Sequence, residues 1–243
     1  RNHTERMLNA FGASIETLDD NVTIKLAPQP ELTGIDLTIP SDMSSAAFFL
    51  VAATLVPHSR ITLKNVGMNE TRTGLLSILK RMGGKVTATN ERDDGEPTAD
   101  LTVMSADLKP IEIGAEEIPA VIDELPLVAL LAAKANGVSR ITGAGELRVK
   151  ETDRISAVVH EFSKLGIVIR ELPDGFVIDG SKPWHVETTK LSSHGDHRIG
   201  MTLAVASLLV DEPLRLADPD AVNISYPTFF EDLRSVSSVK NYS

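Results

Sequence analysis

The stretch Ile155-Ser156-Ala157-Val158-Val159-His160-Glu161-Phe162-Ser163-Lys164-Leu165-Gly166-Ile167-Val168-Ile169-Arg170 decides the fold class. Ile155, Val158, Val159, Phe162 and Leu165 recur at helical spacing, Gly166 stops the helix, and a strand follows at Ile167 to Arg170. A turn at Pro173-Asp174-Gly175 then leads back through Phe176-Val177-Ile178, so the segment reads helix, glycine, hairpin. The same grammar stands twice upstream. Thr4 to Phe11, with Met7, Leu8 and Phe11 on one side, ends at Gly12 and precedes strands Ala13 to Leu18 and Val22 to Leu26 around a turn at Asp19-Asp20-Asn21. Leu75 to Met82 ends at Gly83-Gly84 and precedes Lys85 to Ala88, a turn at Asp93-Asp94-Gly95, and Ala99 to Met104.

Each hairpin leads through an extended segment to an aspartate and an apolar helix: Asp42 before Ser44 to Leu50, Asp123 before Leu125 to Ala133, Asp196 before Ile199 to Leu209. The first two helices are followed by the same strand opening, Ser59-Arg60-Ile61-Thr62 and Ser139-Arg140-Ile141-Thr142; the third has Pro213-Leu214-Arg215-Leu216. The period, roughly 70 to 85 residues, is far longer than a solenoid repeat, so each unit is expected to be an α/β subdomain with helices on a short mixed sheet. Pro28, Gln29, Pro30 and Gly34 break the pattern. That predicts a boundary near residue 39, with 1–39 the tail of one domain and 40–243 a second domain of repeated units.

Composition narrows the function. The 243 residues are 42% hydrophobic and 24% charged, enough for a sizeable core. The absence of cysteine excludes disulfides, thiolate metal sites and a cysteine nucleophile within this chain, and permits a reducing, cytoplasmic setting. The longest apolar runs, Ala46 to Val56 and Met201 to Val210, are too short to span a bilayer. A net charge of −10 argues against nucleic acid or an anionic membrane as partner. The chain starts at Arg1 without a methionine or signal peptide, which suggests a processed chain or part of a longer one.

Where the units differ, chemistry enters. Immediately before the opening helix stands Leu147-Arg148-Val149-Lys150-Glu151-Thr152-Asp153-Arg154, with Thr152, backed by Asp153, expected as the N-cap. Two cations and a carboxylate at a helix start suit a phosphate or carboxylate; the alternative is a solvated charged first turn. The first unit has Asn69-Glu70-Thr71-Arg72 at this point and the third has Asn223-Ile224-Ser225-Tyr226, while the third alone carries His194-Gly195-Asp196-His197-Arg198. Asp42, Asp123 and Asp196 have an ordinary explanation as N-cap or first-turn carboxylates. If the units converge, Arg1, Asp123, Glu146, Lys150, Glu151, Arg154, His197 and Arg198 would share a site for a ligand with more than one anionic group, with carboxylates to move protons. The His194/His197 pair is an incomplete metal motif, and no phosphate-cradling glycine loop is present.

Taken together, Leu147 to Arg154, Gly195 to Arg198, Ser41-Asp42-Met43-Ser44-Ser45-Ala46 and Arg1-Asn2-His3-Thr4-Glu5-Arg6-Met7-Leu8 resemble the 5-enolpyruvylshikimate-3-phosphate (EPSP) synthase family, its bacterial members most closely. The resemblance runs end to end and corresponds to the later part of the family's chain. It implies an enolpyruvyl transferase fold, an inside-out α/β barrel of subdomains around a pseudo-threefold axis, and transfer of the enolpyruvyl group of phosphoenolpyruvate to the 5-hydroxyl of shikimate 3-phosphate, on the way to chorismate. By resemblance Asp123 is the proton acceptor for that hydroxyl and Glu151 serves the phosphoenolpyruvate methylene. Arg1, Asp123, Glu146 and Lys150 face shikimate 3-phosphate, Arg154 and Arg198 hold phosphoenolpyruvate, and Asp42, Asp196 and His197 support them. No cofactor and no metal are implied, and glyphosate is the expected inhibitor.

Glu146 stands where some relatives have Asn, and the sequence departs from the family pattern in two respects. Some relatives have a Lys near the position of Asn223 or Ile224, just before the Tyr226-Pro227 that matches their Phe-Pro, and this chain has none there. The family's early Lys-Ser-x-x-x-Arg segment and its Ser-Ser/Ala-Gln loop lie before Arg1, so this chain carries about half a site and needs the N-terminal portion as partner. The sister enzyme acting on a UDP-linked amino sugar shares fold and donor, but the Lys150 to Arg154 motif favours the shikimate enzyme. The other alternative is a non-catalytic half.

Overall fold

The computed structural model describes residues 1–20 and 22–237. Asn21, in the first expected turn, lies outside the described residues. The opening segment forms α1 (His3–Ala10) and an antiparallel pair, β1 (Ile15–Thr17) and β2 (Ile24–Leu26). The first unit comprises α2 (Met43–Leu55), β3 (Arg60–Gly67), α3 (Gly74–Met82), β4 (Lys85–Asp93) and β5 (Pro97–Met104). After a short β6 (Glu112–Ile113) the pattern repeats as α4 (Leu125–Lys134), β7 (Val138–Ile141), α5 (Arg154–Lys164), β8 (Val168–Leu172) and β9 (Gly175–Asp179). A short β10 (Lys190–Leu191), α6 (His197–Ala206), β11 (Arg215–Leu216) and α7 (Phe229–Val236) form the third unit.

Two kinds of helix follow from two kinds of sequence. α2 and α4 are apolar almost all round and α6 nearly so, and nearly every residue of each is buried. Such helices belong inside a structure, and these three pack against one another in pairs. α3 and α5 have a single apolar face; Leu75, Ile78, Leu79 and Met82 bury from one, Ile155, Val158 and Phe162 from the other. Each such large side chain contributes about 1.5–3 kcal/mol of burial. Both helices end as the glycines require. Gly83 and Gly166 take φ of +92° and +74°, and the following amide in each case returns to a carbonyl of the last turn.

The sheets lie outside this helical centre. The strands β3-β5-β4 are antiparallel and Ser41 adds a single parallel bridge to Val66 of β3, while β6-β7-β9-β8 is mixed through its parallel β6-β7 pair. Among the described residues the third unit has only the parallel pair β10-β11. Around α7, Phe229 stacks edge-on against Phe48, Phe49 and Tyr226, closing the third unit onto the first. α6 is shorter than expected: Ser207 to Leu209 continue as a 3₁₀ turn. No helix of the described residues is long and apolar enough to cross a membrane.

Candidate active site

The three aspartates that precede the central helices are not equivalent. Asp42 caps α2 by accepting from the Ser45 amide, and Asp196 caps α6 by accepting from the amides of Arg198 and Ile199. Asp123 sits in a 3₁₀ turn, Ile122–Glu124, and caps nothing. Its carboxylate is therefore available to the site. For α5 the cap is Asp153, which accepts from Ser156, and not Thr152 as the sequence pattern suggested. Asp153 also accepts from Arg148, whose guanidinium reaches Glu171 and the Leu172 and Pro173 carbonyls. Arg148 thus fastens the segment before α5 to the β8–β9 turn and leaves Arg154 facing inward.

Arg154 is 1% exposed and is the centre of the cluster. Its Nε donates to Asp196 Oδ2 at 2.7 Å, its Nη2 donates to Glu151 Oε2 at 2.5 Å, and its Nη1 lies 3.6 Å from Asp123 Oδ1. That last nitrogen is buried and has no hydrogen-bond partner. Asp123 in turn accepts from Arg1 Nη2 at 2.8 Å and lies 3.8 Å from Arg198 Nη2, while Arg198 Nη1 donates to the Asp123 carbonyl at 3.3 Å. The expected convergence is present. Arg1, Asp123, Glu151, Arg154, Asp196 and Arg198 come together from four separate stretches. Lys150 and Glu146 form their own pair at 2.8 Å on the rim, with Glu146 largely exposed. His197 is buried at the start of α6, and its Nδ1 has no partner. Burial, then the Arg198 charge, holds its imidazole below the ordinary value, so the neutral ring is favoured beside two guanidiniums.

Sequence reasoning missed a second layer behind Arg198. Glu124, 3% exposed, accepts from Ser44 Oγ at 2.5 Å and lies 3.6 Å from Arg198 Nη1. Arg72 Nη2 donates to the same Ser44 oxygen at 2.7 Å and pairs with Asp42 at 2.8 Å. Asp42 is thus linked to Arg198 through Arg72, Ser44 and Glu124. The available signal was Glu124 adjoining Asp123; nothing in the spacing of Ser44 or Arg72 announces the contact.

The adjacent carboxylates are pushed in opposite directions. Burial pushes Glu124 up, against Ser44 and Arg198. Burial would raise Asp123 as well, but Arg198, Arg1 and Lys150 outweigh it and hold this carboxyl below its usual value. At rest the guanidiniums are matched by the chain's own carboxylates, a costly arrangement for buried ions unless every partner is well placed. An incoming dianion able to take the free Arg154 Nη1 and to compete for Arg1 and Arg198 would find donors already in position. A groove of about 330 Å³ between α6, β11 and α7 is lined mainly by apolar side chains such as Leu203, Leu214 and Phe230, and includes none of these charged residues.

Comparison with known proteins shows the family. The family model described as EPSP synthase (3-phosphoshikimate 1-carboxyvinyltransferase) matches residues 1–233. A curated protein of Lactiplantibacillus plantarum named 3-phosphoshikimate 1-carboxyvinyltransferase is 60% identical over 237 residues, covering 98% of this chain and 55% of its own length. The protein of the same name from Bacillus subtilis is 48% identical, with 98% and 55% covered. Among solved structures, EPSP synthase from Acinetobacter baumannii superposes with a TM-score of 0.90 at 39% identity, covering 98% of this chain and 54% of that one. The enolpyruvyl transferase NikO from Streptomyces tendae shares the fold at a TM-score of 0.74 and 23% identity, with 94% and 51% covered. The chain spans about half the length of the curated relatives it matches.

Proposed function

The chain belongs to the EPSP synthase family, and on that premise we propose that it forms one wall of a site that transfers the enolpyruvyl group of phosphoenolpyruvate to the 5-hydroxyl of shikimate 3-phosphate, releasing phosphate. The observation that carries this reading is the convergence of Arg1, Arg154 and Arg198 on Asp123. Arg154 and Arg198 hold the phosphoenolpyruvate carboxylate and phosphate with planar forks. Arg1 and Lys150 turn to shikimate 3-phosphate, with Glu146 beside them. Asp42, Asp196 and His197 support the guanidiniums.

The chemistry divides between two carboxylates. In the addition, the 5-hydroxyl oxygen bonds to the central carbon of phosphoenolpyruvate, Asp123 takes the hydroxyl proton, and a proton from Glu151 completes the methylene as a methyl. In the elimination, Glu151 removes a methyl proton as the carbon–oxygen bond to phosphate breaks. Asp123 with its carboxyl held low is a weak base at rest. Anionic substrates that engage the surrounding arginines withdraw the charges that hold it low, so substrate binding raises its basicity.

The opposite wall belongs to an N-terminal portion. Two observations support that partner: the relatives are about twice as long, and Val22, Ile24, Leu26, Leu32, Ile35, Leu37 and Ile39 are all exposed, an unusual density of uncovered apolar side chains. We place the domain boundary near residue 39 on the same ground, and a cytoplasmic setting goes with the reading. The test is reconstitution. This chain alone should release no phosphate from the two substrates, and adding the N-terminal portion of a relative's chain should restore turnover that Asp123→Asn or Glu151→Gln reduces by about 10²-fold or more. Turnover by the chain alone, or full activity in both variants, would overturn it.

A further inference from the structure

The segment Ser192–Gly195, just before Asp196, has an unusual backbone. His194 and Gly195 are successive left-handed residues, with φ of +54° and +73°. A non-glycine residue there costs free energy unless its surroundings fix it. Two carboxylates supply that fixing. Glu161, on α5 and fully buried, accepts from the Ser192 amide at 3.1 Å and pairs with His194 Nε2 at 2.8 Å, with Lys164 Nζ at 2.8 and 3.0 Å as counter-ion. His160 approaches the same carboxylate at 3.9 Å. From the other side Asp218 accepts from the amides of Ser193 at 2.8 Å and Gly195 at 3.1 Å. Inside the turn, the Asp196 amide returns to the Ser193 carbonyl.

What this turn delivers is Asp196, fully buried, which at once holds Arg154 Nε and starts the helix that carries Arg198. Glu161 stands seven residues after Arg154 on α5, two turns along the same face. One helix thus grips both ends of the segment, by Glu161 at its beginning and by Arg154 at its end. We propose that Glu161 and Asp218, with His194, are positioning residues that clamp the 192–195 turn so that Asp196 sets the mutual placement of Arg154 and Arg198. Its bearing on catalysis rests on the function proposed above; the clamp itself does not.

The test uses this chain and two readouts. Amide hydrogen exchange by NMR reports the clamp: Glu161→Gln and Asp218→Asn should each speed exchange at Gly195, Arg198 and Ile199 by about tenfold, with Val177 and Ile178 in β9 unchanged. Equal acceleration at both places would mean a purely global loss of stability, and no acceleration would mean no clamp; either overturns the proposal. His194→Asn guards against a variant that fails to fold, since Asn accepts the left-handed conformation, and should give a smaller rise at the same amides; no rise removes His194 from the clamp. The second readout is ³¹P line broadening of phosphoenolpyruvate, which the two carboxylate variants should weaken by about threefold or more. Phosphoenolpyruvate that fails to bind the unaltered chain would count against the functional reading, while the exchange data would still decide the clamp.

Discussion

Two corners of the molecule start from the same plan and end differently. In the first unit Asp42 lies 2.8 Å from Arg72; in the second, Asp123 lies 3.6 Å from Arg154. Each pair joins the residue before a central helix to the end of the link after the following strand. Asp42, however, also accepts from the Ser45 amide of α2, and Arg72 bonds one hydroxyl and one carboxylate, so that corner is closed. Asp123 caps nothing, and Arg154 is shared among three carboxylates with one nitrogen unfilled. The difference shows how a repeated scaffold releases one copy of a structural contact for chemistry: the aspartate is freed from its helix, and the arginine is buried.

The largest expected effect tests that burial. Arg154→Met removes the buried cation paired with Asp196 and should cost about 3–5 kcal/mol of stability, since an uncompensated buried charge remains. Arg72→Met breaks a partly exposed pair and should cost about 1 kcal/mol or less. Urea denaturation with equal m-values measures both. Equal losses would erase the distinction between the corners.

Next in size is the cap. Asp42→Ala should cost about 1 kcal/mol by freeing the Ser45 amide in the first turn of α2, and hydrogen exchange at Ser45 should rise with it. Asp123→Ala should leave exchange at the start of α4 unchanged, because no α4 amide depends on that side chain. Faster exchange there would show that Asp123 is an ordinary helix-start carboxylate after all.

How far these corners were legible in the sequence follows from the range of the forces involved. The helix ends at Gly83 and Gly166, the hairpins, and the convergence of the unlike motifs all rest on local spacing and on the repeat, and they appear as expected. The N-cap of α5 shifted by one residue because Arg148 draws Asp153 toward the β8–β9 turn, a contact with a partner over twenty residues away. Glu124 and Ser44 stayed hidden for the same reason. Both sit in helical segments whose residues are buried irrespective of charge, and only the packing of α2 beside the Ile122–Glu124 turn brings the hydroxyl to the carboxylate. Asp123 and Asp196 look alike in the sequence; whether a carboxylate caps its helix depends on the backbone just before it.

A pH comparison of the neighbouring carboxylates has a smaller effect but a definite sign. The folded Asp123 carboxyl lies below its unfolded value of about 3.9, so its contribution to stability is present above that pH and is lost as pH falls through the lower folded value. Glu124 lies above its unfolded value of about 4.3, so its contribution is present below that pH and is lost as pH rises through the folded value. Asp123→Asn should therefore be more harmful at neutral than at acid pH, whereas Glu124→Gln should gain on the unaltered chain as pH rises. Carboxyl ¹³C titration gives the two midpoints directly. Midpoints in the opposite order would mean that burial, not the arginines, governs Asp123.

The smallest effect on stability concerns the rim. Glu146 and Lys150 are an exposed i, i+4 pair, so Glu146→Gln should change stability by no more than about 0.5 kcal/mol. Its effect on ligands should be larger than its effect on folding. At rest Glu146 holds the Lys150 ammonium at 2.8 Å, while the same ammonium already contributes to keeping Asp123 ionised. Removing the competing carboxylate frees Lys150 for an anion without disturbing Arg154 or Asp196. Inorganic phosphate should then bind the Glu146→Gln chain more tightly, by about threefold, with steeper weakening by salt. Weaker binding would mean that Glu146 is needed to aim Lys150 and does not merely occupy it, and the rim would then belong with the fixed interior of this corner.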